Sequence, residues 1–96
     1  MVKPDHFSVT LIVTLSFGVE SIKAYDAFDQ LVLESPEIQQ SYHVAGSNDY
    51  ILIIHGPSLI WYEEWAKHMF MSNPAIRRYS TAVVWSCKKF QTKIKL

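Results

Sequence analysis

Cysteine occurs once in the 96 residues, at Cys87. No intrachain disulfide can form, so a disulfide-stapled exported scaffold is excluded. Glycine is nearly as scarce, with three residues. They do not make a GxGxxG fingerprint or a phosphate-cradling loop, and no nucleophile elbow is present. No apolar run is long enough to span a bilayer. No N-terminal stretch combines a basic flank, an apolar segment and a small-residue cleavage site. The expectation is therefore a soluble, cytoplasmic protein without a membrane partner. Carboxylates are missing from the last third of the chain. All nine Asp and Glu fall in residues 1–64 beside only Lys3 and Lys23, a formal −7; residues 65–96 carry Lys67, Arg77, Arg78, Lys88, Lys89, Lys93 and Lys95, a formal +7. The simplest reading sets the basic end beside the acidic helices, in its own subunit or the next. A nucleic-acid patch is the alternative, and no DNA-reading motif accompanies it.

What the chain has is apolar and aromatic surface: 49% hydrophobic and 14% aromatic residues. That excludes disorder, because such a chain offsets the entropy of ordering. The length allows one domain, residues 1–96. A chain this small hides only about 60 to 65% of its unfolded surface. Its core is thin, and some aromatic rings are expected to meet another subunit.

Phe7, Val9, Leu11, Val13, Leu15 and Phe17 alternate with Ser8, Thr10, Ile12, Thr14 and Ser16. This period of two predicts a long strand over residues 7–17. Ser21 caps a helix over about 22–34, whose inward stripe is Ala24, Ala27, Phe28, Leu31 and Val32; Ser35-Pro36 ends it. Ile38–Ala45 reads as a second strand and Tyr50–His55 as a third, joined by the turn residues Gly46-Ser47-Asn48-Asp49. The third strand is apolar on both faces, hence central. Gly56-Pro57-Ser58 starts a second helix with Leu59, Tyr62, Ala66, Met69 and Phe70 inward and Trp65 at the border. Asn73-Pro74 stops it. Ile76–Trp85 is a fourth strand, and residues 88–96 are a short fifth strand or an arm. The order β-α-β-β-α-β predicts an α+β, ferredoxin-like fold: four antiparallel strands with both helices on one face. The uncovered face is apolar and needs a partner, and two such sheets face to face form a dimeric α/β barrel.

Chemistry is sparse. None of the four His (His6, His43, His55, His68) lies at a metal-ligand spacing with another His or Cys, so no metal or cofactor is expected. His43 and His55 lie on adjacent strands and could share a sheet face; histidines with satisfied hydrogen bonds are the favoured reading. Cys87 lies between strand residues that point away from it and reads as an ordinary thiol. Glu63 and Glu64 diverge by about 100° on a helix and cannot act as an acid–base pair. Trp61, Trp65 and Met69 read as core or subunit contacts. The hairpin turn Ala45–Tyr50 alone offers mixed polar chemistry. Exposed N–H groups, a hydroxyl, an amide and a carboxylate could hold both ends of a free amino acid, although hairpin turns commonly have this composition.

Leu33-Glu34-Ser35-Pro36-Glu37-Ile38, then Tyr42-His43-Val44-Ala45-Gly46 and Asp49-Tyr50, resembles the Lrp/AsnC family of feast/famine regulators. The match is to its C-terminal effector-binding (RAM) domain, with its P-E-V and V-T-G-x-x-D-Y runs. Leu59, Tyr62, Trp65 and Met69 before Asn73-Pro74-Ala75-Ile76 are similar to that family's second helix and exit. Ile76–Val84 is similar to its V-x-R-T-x-T-x-I-V strand. The resemblance covers the chain from about residue 6. It implies a domain that dimerises through its sheets, assembles further into an octamer, and binds a small effector, an amino acid, between dimers. Carried over by position, the effector-binding residues are Gly46, Ser47, Asn48 and Asp49, with Ser80 and Thr81 as additional candidates. Partners would be further copies of itself and full-length regulators of the family. The family's helix-turn-helix is not found, so direct DNA binding is not expected. Ala45 and Tyr79 stand where the family often has Thr, each removing a possible hydroxyl ligand, and Ala75 replaces a Gly. Two readings compete with a non-enzymatic sensor. One is a cofactor-free monooxygenase-like barrel using His43, His55 and Trp85 in a pocket inside each monomer. The other is an assembly module without a ligand.

Overall fold

The computed structural model describes residues 8–46 and 49–92. Six elements follow in order: β1 (Val9–Phe17), α1 (Ile22–Leu33), β2 (Ile38–His43), β3 (Tyr50–Gly56), α2 (Leu59–Ala66) and β4 (Ile76–Val83). The last turn of the second helix, Lys67–Met71, is π-helical, closed by the Ser72 N–H to the Lys67 carbonyl at 3.1 Å. The strands form one antiparallel sheet in the order β2-β3-β1-β4, the expected ferredoxin-like arrangement. β3 is interior, as its two apolar faces demand. No helix among the described residues is long and apolar enough to cross a membrane.

Period-two patterning positions the core. Leu11, Val13 and Leu15 of β1 and Leu52 and Ile54 of β3 are fully buried beneath the helices. Phe28 of α1, together with Tyr62, Ala66, Met69 and Phe70 of the second helix, closes the layer from above. The caps are those the sequence offers: the Ser21 hydroxyl accepts from the Ala24 N–H and the Ser58 hydroxyl from the Trp61 N–H. Two residues placed on the inward stripes, Ala27 and Leu59, are exposed instead. They lie at the margins of narrow stripes, and Phe28 alone of α1 is fully buried.

The strands are shorter than the patterning suggests. β2 ends at His43, so the connection to β3 is six residues rather than four. β4 ends at Val83; Val84 still donates to the Thr10 carbonyl, and Trp85 is 98% exposed. Residues 85–92 form no strand. The remainder of the expected fifth strand, 93–96, lies outside the described residues, as does Phe7.

A register shift between Ile38 and Gln40 fixes which side chains of β2 face where. Ile38 pairs with Ile54 on the helix side; after the shift Ser41 and His43 face the helices, while Gln40 and Tyr42 face the other way. The uncovered face then carries Ile12 and Thr14 of β1, Ile51, Ile53 and His55 of β3, Tyr42 of β2, and Ser80 and Ala82 of β4.

Gly56 ends β3 directly under Trp61, and a Cβ there would overlap the Trp61 ring. Gly56→Ala is therefore expected to cost about 1–3 kcal/mol through forced displacement of the indole. Leu52→Ala, which opens a cavity in the fully buried layer, should cost about 2–5 kcal/mol. Urea unfolding followed by tryptophan fluorescence measures both; a neutral Gly56→Ala would contradict the packing described.

Candidate functional site: the turn between β2 and β3

The turn is fastened to the body of the domain through Asp49. Its N–H donates to the Leu15 carbonyl at 2.8 Å and its carbonyl accepts from the Val44 N–H at 2.9 Å. Its carboxylate accepts the Phe17 N–H at 2.6 Å on Oδ2 and the Tyr25 hydroxyl at 3.1 Å on Oδ1. One side chain thus ties the turn to the end of β1 and to α1. A charged acceptor makes these bonds stronger than neutral ones. Gly46 has φ 129°, a backbone angle L side chains rarely adopt. Nothing lies within 4 Å of where its Cβ would be, so the turn is open to solvent there. Ser47 and Asn48 lie outside the described residues.

Beneath the turn lies an aromatic cluster. Phe17 meets Tyr25, Phe28 and Tyr50 at centroid distances of 5.1 to 5.4 Å. His43 stacks on Tyr50 at 4.5 Å and 11° and lies 4.6 Å from Tyr25. The Tyr50 hydroxyl donates to Asp29 at 2.7 Å. Burial, and then the Asp29 acceptor, push the Tyr50 phenol above its usual range; Tyr25 is raised by desolvation and by its bond to Asp49. A cleft of about 330 Å³ opens beside this cluster, lined by Asp29, Val32, Leu33, Ser41, His43 and Tyr50.

The two β4 candidates diverge. Ser80 pairs with Thr14 on the uncovered face. Thr81 pairs with Val13 on the helix side, where its hydroxyl shares a 2.6 Å hydrogen bond with the Tyr62 hydroxyl. Ser80, Thr14 and Ile51 are successive cross-strand neighbours, so Ser80 lies two strand spacings, roughly 10 Å, from the start of β3. His43 and His55, which on sequence could share a face, do not. His43 lies on the helix side, while His55 lies on the uncovered face, its Nδ1 3.1 Å from the Thr10 hydroxyl. Alternation along the hairpin separates residues whose cross-strand partners, Tyr50 and Thr10, lie on opposite faces. Trp85, exposed beyond β4, joins neither. Among the described residues no group of His, Cys, Asp and Glu could hold a metal ion.

Three residues of this cluster, Tyr25, Asp29 and Tyr50, are not among the site residues expected from sequence, although Tyr50 closes the turn. Tyr25 lies three residues before Phe28, a spacing that places both on one helix face. That was the available signal, and it points to Tyr25. Asp29, on the polar side of α1, carried none.

Known proteins resemble this chain throughout. The family model for the Lrp/AsnC ligand binding domain matches residues 10–94. An uncharacterized HTH-type transcriptional regulator of Sinorhizobium fredii, y4tD, is 33% identical over 76 residues, covering 79% of this chain and 45% of the relative. The transcriptional regulator AzlB of Bacillus subtilis is 27% identical over 81 residues, covering 84% and 52%. The chain spans about half the length of these curated relatives. An AsnC family transcriptional regulator from Agrobacterium tumefaciens superposes with a TM-score of 0.82 at 26% identity, over 99% of this chain and 64% of that one. A Neisseria meningitidis regulator solved as an L-Met complex superposes equally well, TM-score 0.82, at 16% identity over 91% of this chain and 56% of its own; at that identity it speaks for the fold.

Two predictions follow from the geometry of the turn. Asp49→Ala strands the Phe17 N–H and frees Tyr25, and should cost about 1.5–3 kcal/mol, against about 1 kcal/mol for Tyr25→Phe; chemical denaturation distinguishes them. The raised Tyr50 pKa means that the fold prefers the neutral phenol. Its contribution is complete below the ordinary value of 10.0 and is lost as pH rises above it. The thermal midpoint should therefore fall more steeply above about pH 10 in the native chain than in Tyr50→Phe; equal slopes would contradict the assignment. With the fold, the anchored turn and the match over residues 10–94 in hand, the chain belongs to the Lrp/AsnC ligand-binding domain family.

Proposed function

We propose that residues 1–96 act as a non-enzymatic effector-sensing and assembly module in the cytoplasm. It binds a free amino acid at the Gly46–Asp49 turn where subunits meet, and changes transcription through full-length regulators of its family. Ser80 joins the site from the uncovered face; Thr81, held by Tyr62, serves it only by positioning. Assembly is through the uncovered sheet face, first as a dimer and then as a larger ring, an octamer being the size suggested by the family resemblance. The observation that carries this reading is the family match across residues 10–94, which includes the turn. The L-Met complex of the Neisseria relative makes an amino acid the ligand class to test first. DNA contact is left to the partners.

One observation favours a second reading, assembly without a ligand. Both oxygens of the Asp49 carboxylate are already engaged by Phe17 and Tyr25. An incoming ammonium must then share that carboxylate or displace Tyr25.

Isothermal titration of the proteinogenic amino acids, one at a time, tests the proposal. One or a few should bind, raise the thermal midpoint by mass action and shift the assembled mass in light scattering. Indifference to all of them, in a chain that still assembles, would leave the assembly reading. A chain that neither binds nor assembles would overturn both.

A further inference from the structure

Residues 85–92 form neither helix nor strand and make no backbone hydrogen bond to the rest of the domain among the described residues; the last such bond is from the Val84 N–H to the Thr10 carbonyl. Yet this segment carries exposed aromatic surface: Trp85 is 98% and Phe90 76% exposed. In extended chain, Trp85, Cys87 and Lys89 share one side, and Lys88 and Phe90 share the other. Each side therefore pairs an aromatic ring with a lysine.

The opposite edge of the sheet is open. β2 has β3 on one side only, and its sequence, Ile-Gln-Gln-Ser-Tyr-His, has neither the lysine nor the proline that commonly protects an edge. Along it runs a groove between β2 and α1. One part, about 340 Å³, is lined by Val32, Leu33, Pro36 and Ile38 among others, and it adjoins the cleft that holds Asp29; the two share Val32, Leu33 and Ser41. Leu33 is 80% exposed there. Asp29 supplies a carboxylate at this groove. The other free edge, β4, carries Arg77 and Arg78 and would repel a lysine-bearing strand.

We propose that residues 85–92 form a fifth strand on the β2 edge of a second copy of the chain. Phe90 enters the groove against Val32, Leu33 and Ile38. Lys88 is brought to Asp29, and Trp85 lies on the uncovered side near Tyr42. Eight residues extend about 26 Å, enough to run the length of β2. The chain's own β2 is three strand spacings, roughly 14 Å, beyond β4, and Trp85 and Phe90 are exposed rather than packed against it. Exchange between two copies is reciprocal, so the contact closes on itself. The surplus charge at the two ends of the chain is thereby neutralised between subunits. The proposal rests on the reading that the domain assembles, and the test separates the two.

Sedimentation equilibrium of the full chain and of Phe90→Asp, both checked for native circular dichroism, measures the contribution of the arm. Gln40→Cys and Tyr42→Cys place a thiol on the side of β2 that faces Cys87 in this arrangement; Lys23→Cys, on α1, is the control. The native chain should associate, and Phe90→Asp should raise the dissociation constant about tenfold or more. Oxidation should link Cys87 of one chain to position 40 or 42 of another, mapped by peptide mass spectrometry, and not to position 23. If Phe90→Asp associates as the native chain does and no cross-link forms, the arm proposal falls while assembly stands. Weakened association without either cross-link would overturn the β2 assignment. A native chain that stays monomeric overturns the proposal and the assembly reading together.

Discussion

Both helices pack on one face of a four-stranded sheet, and most else in the molecule depends on that imbalance. The covered face closes a small core around Leu11, Val13, Leu15, Leu52, Ile54, Phe28 and Phe70. The other face presents Ile12, Ile51, Ile53 and Tyr42 between Thr10, Thr14, His55 and Ser80. Burying such a surface against a second sheet is the cheapest way for a chain this short to gain apolar contact. Under the proposed assembly through this face, a ligand site at the sheet end would lie between subunits.

Asp49 connects that architecture to the site. Hairpin turns of Gly, Ser, Asn and Asp are common and ordinarily local. This one reaches across to the Phe17 N–H and the Tyr25 hydroxyl, over rings that link β1, α1, β2 and β3. A ligand that draws on the Asp49 carboxylate also acts on α1 through Tyr25. A change at the turn would therefore reach α1 and the end of β1 together.

Strand and helix order is legible because three signals dominate the sequence: alternation in β1, the unbroken apolar run of β3, and three-to-four spacing at Tyr62, Ala66, Met69 and Phe70. The caps at Ser21 and Ser58 and the stops at Pro36 and Pro74 set most boundaries. Several features were not legible. The π-turn at Lys67–Met71 has no compositional mark. The side of the sheet taken by His43 depends on a register shift at Gln39 that β2 does not announce. The turn was recognised by its residue types and by family resemblance, but the role of Asp49 as an anchor needed the position of Phe17, distant in sequence. Tyr25 is ambiguous in sequence because its hydroxyl makes it polar at one end, while its ring packs against Phe17 and His43.

The most direct test of one-sided packing as the organising constraint is the mass of the chain in solution, by light scattering after size exclusion, beside Ile53→Asp. Ile53 faces away from both helices, so the substitution leaves the core intact. The account predicts that the native chain runs at twice 11.1 kDa or a higher multiple, and that Ile53→Asp runs as a folded monomer. A native chain of 11.1 kDa, or an Ile53→Asp chain that assembles unchanged, would contradict it.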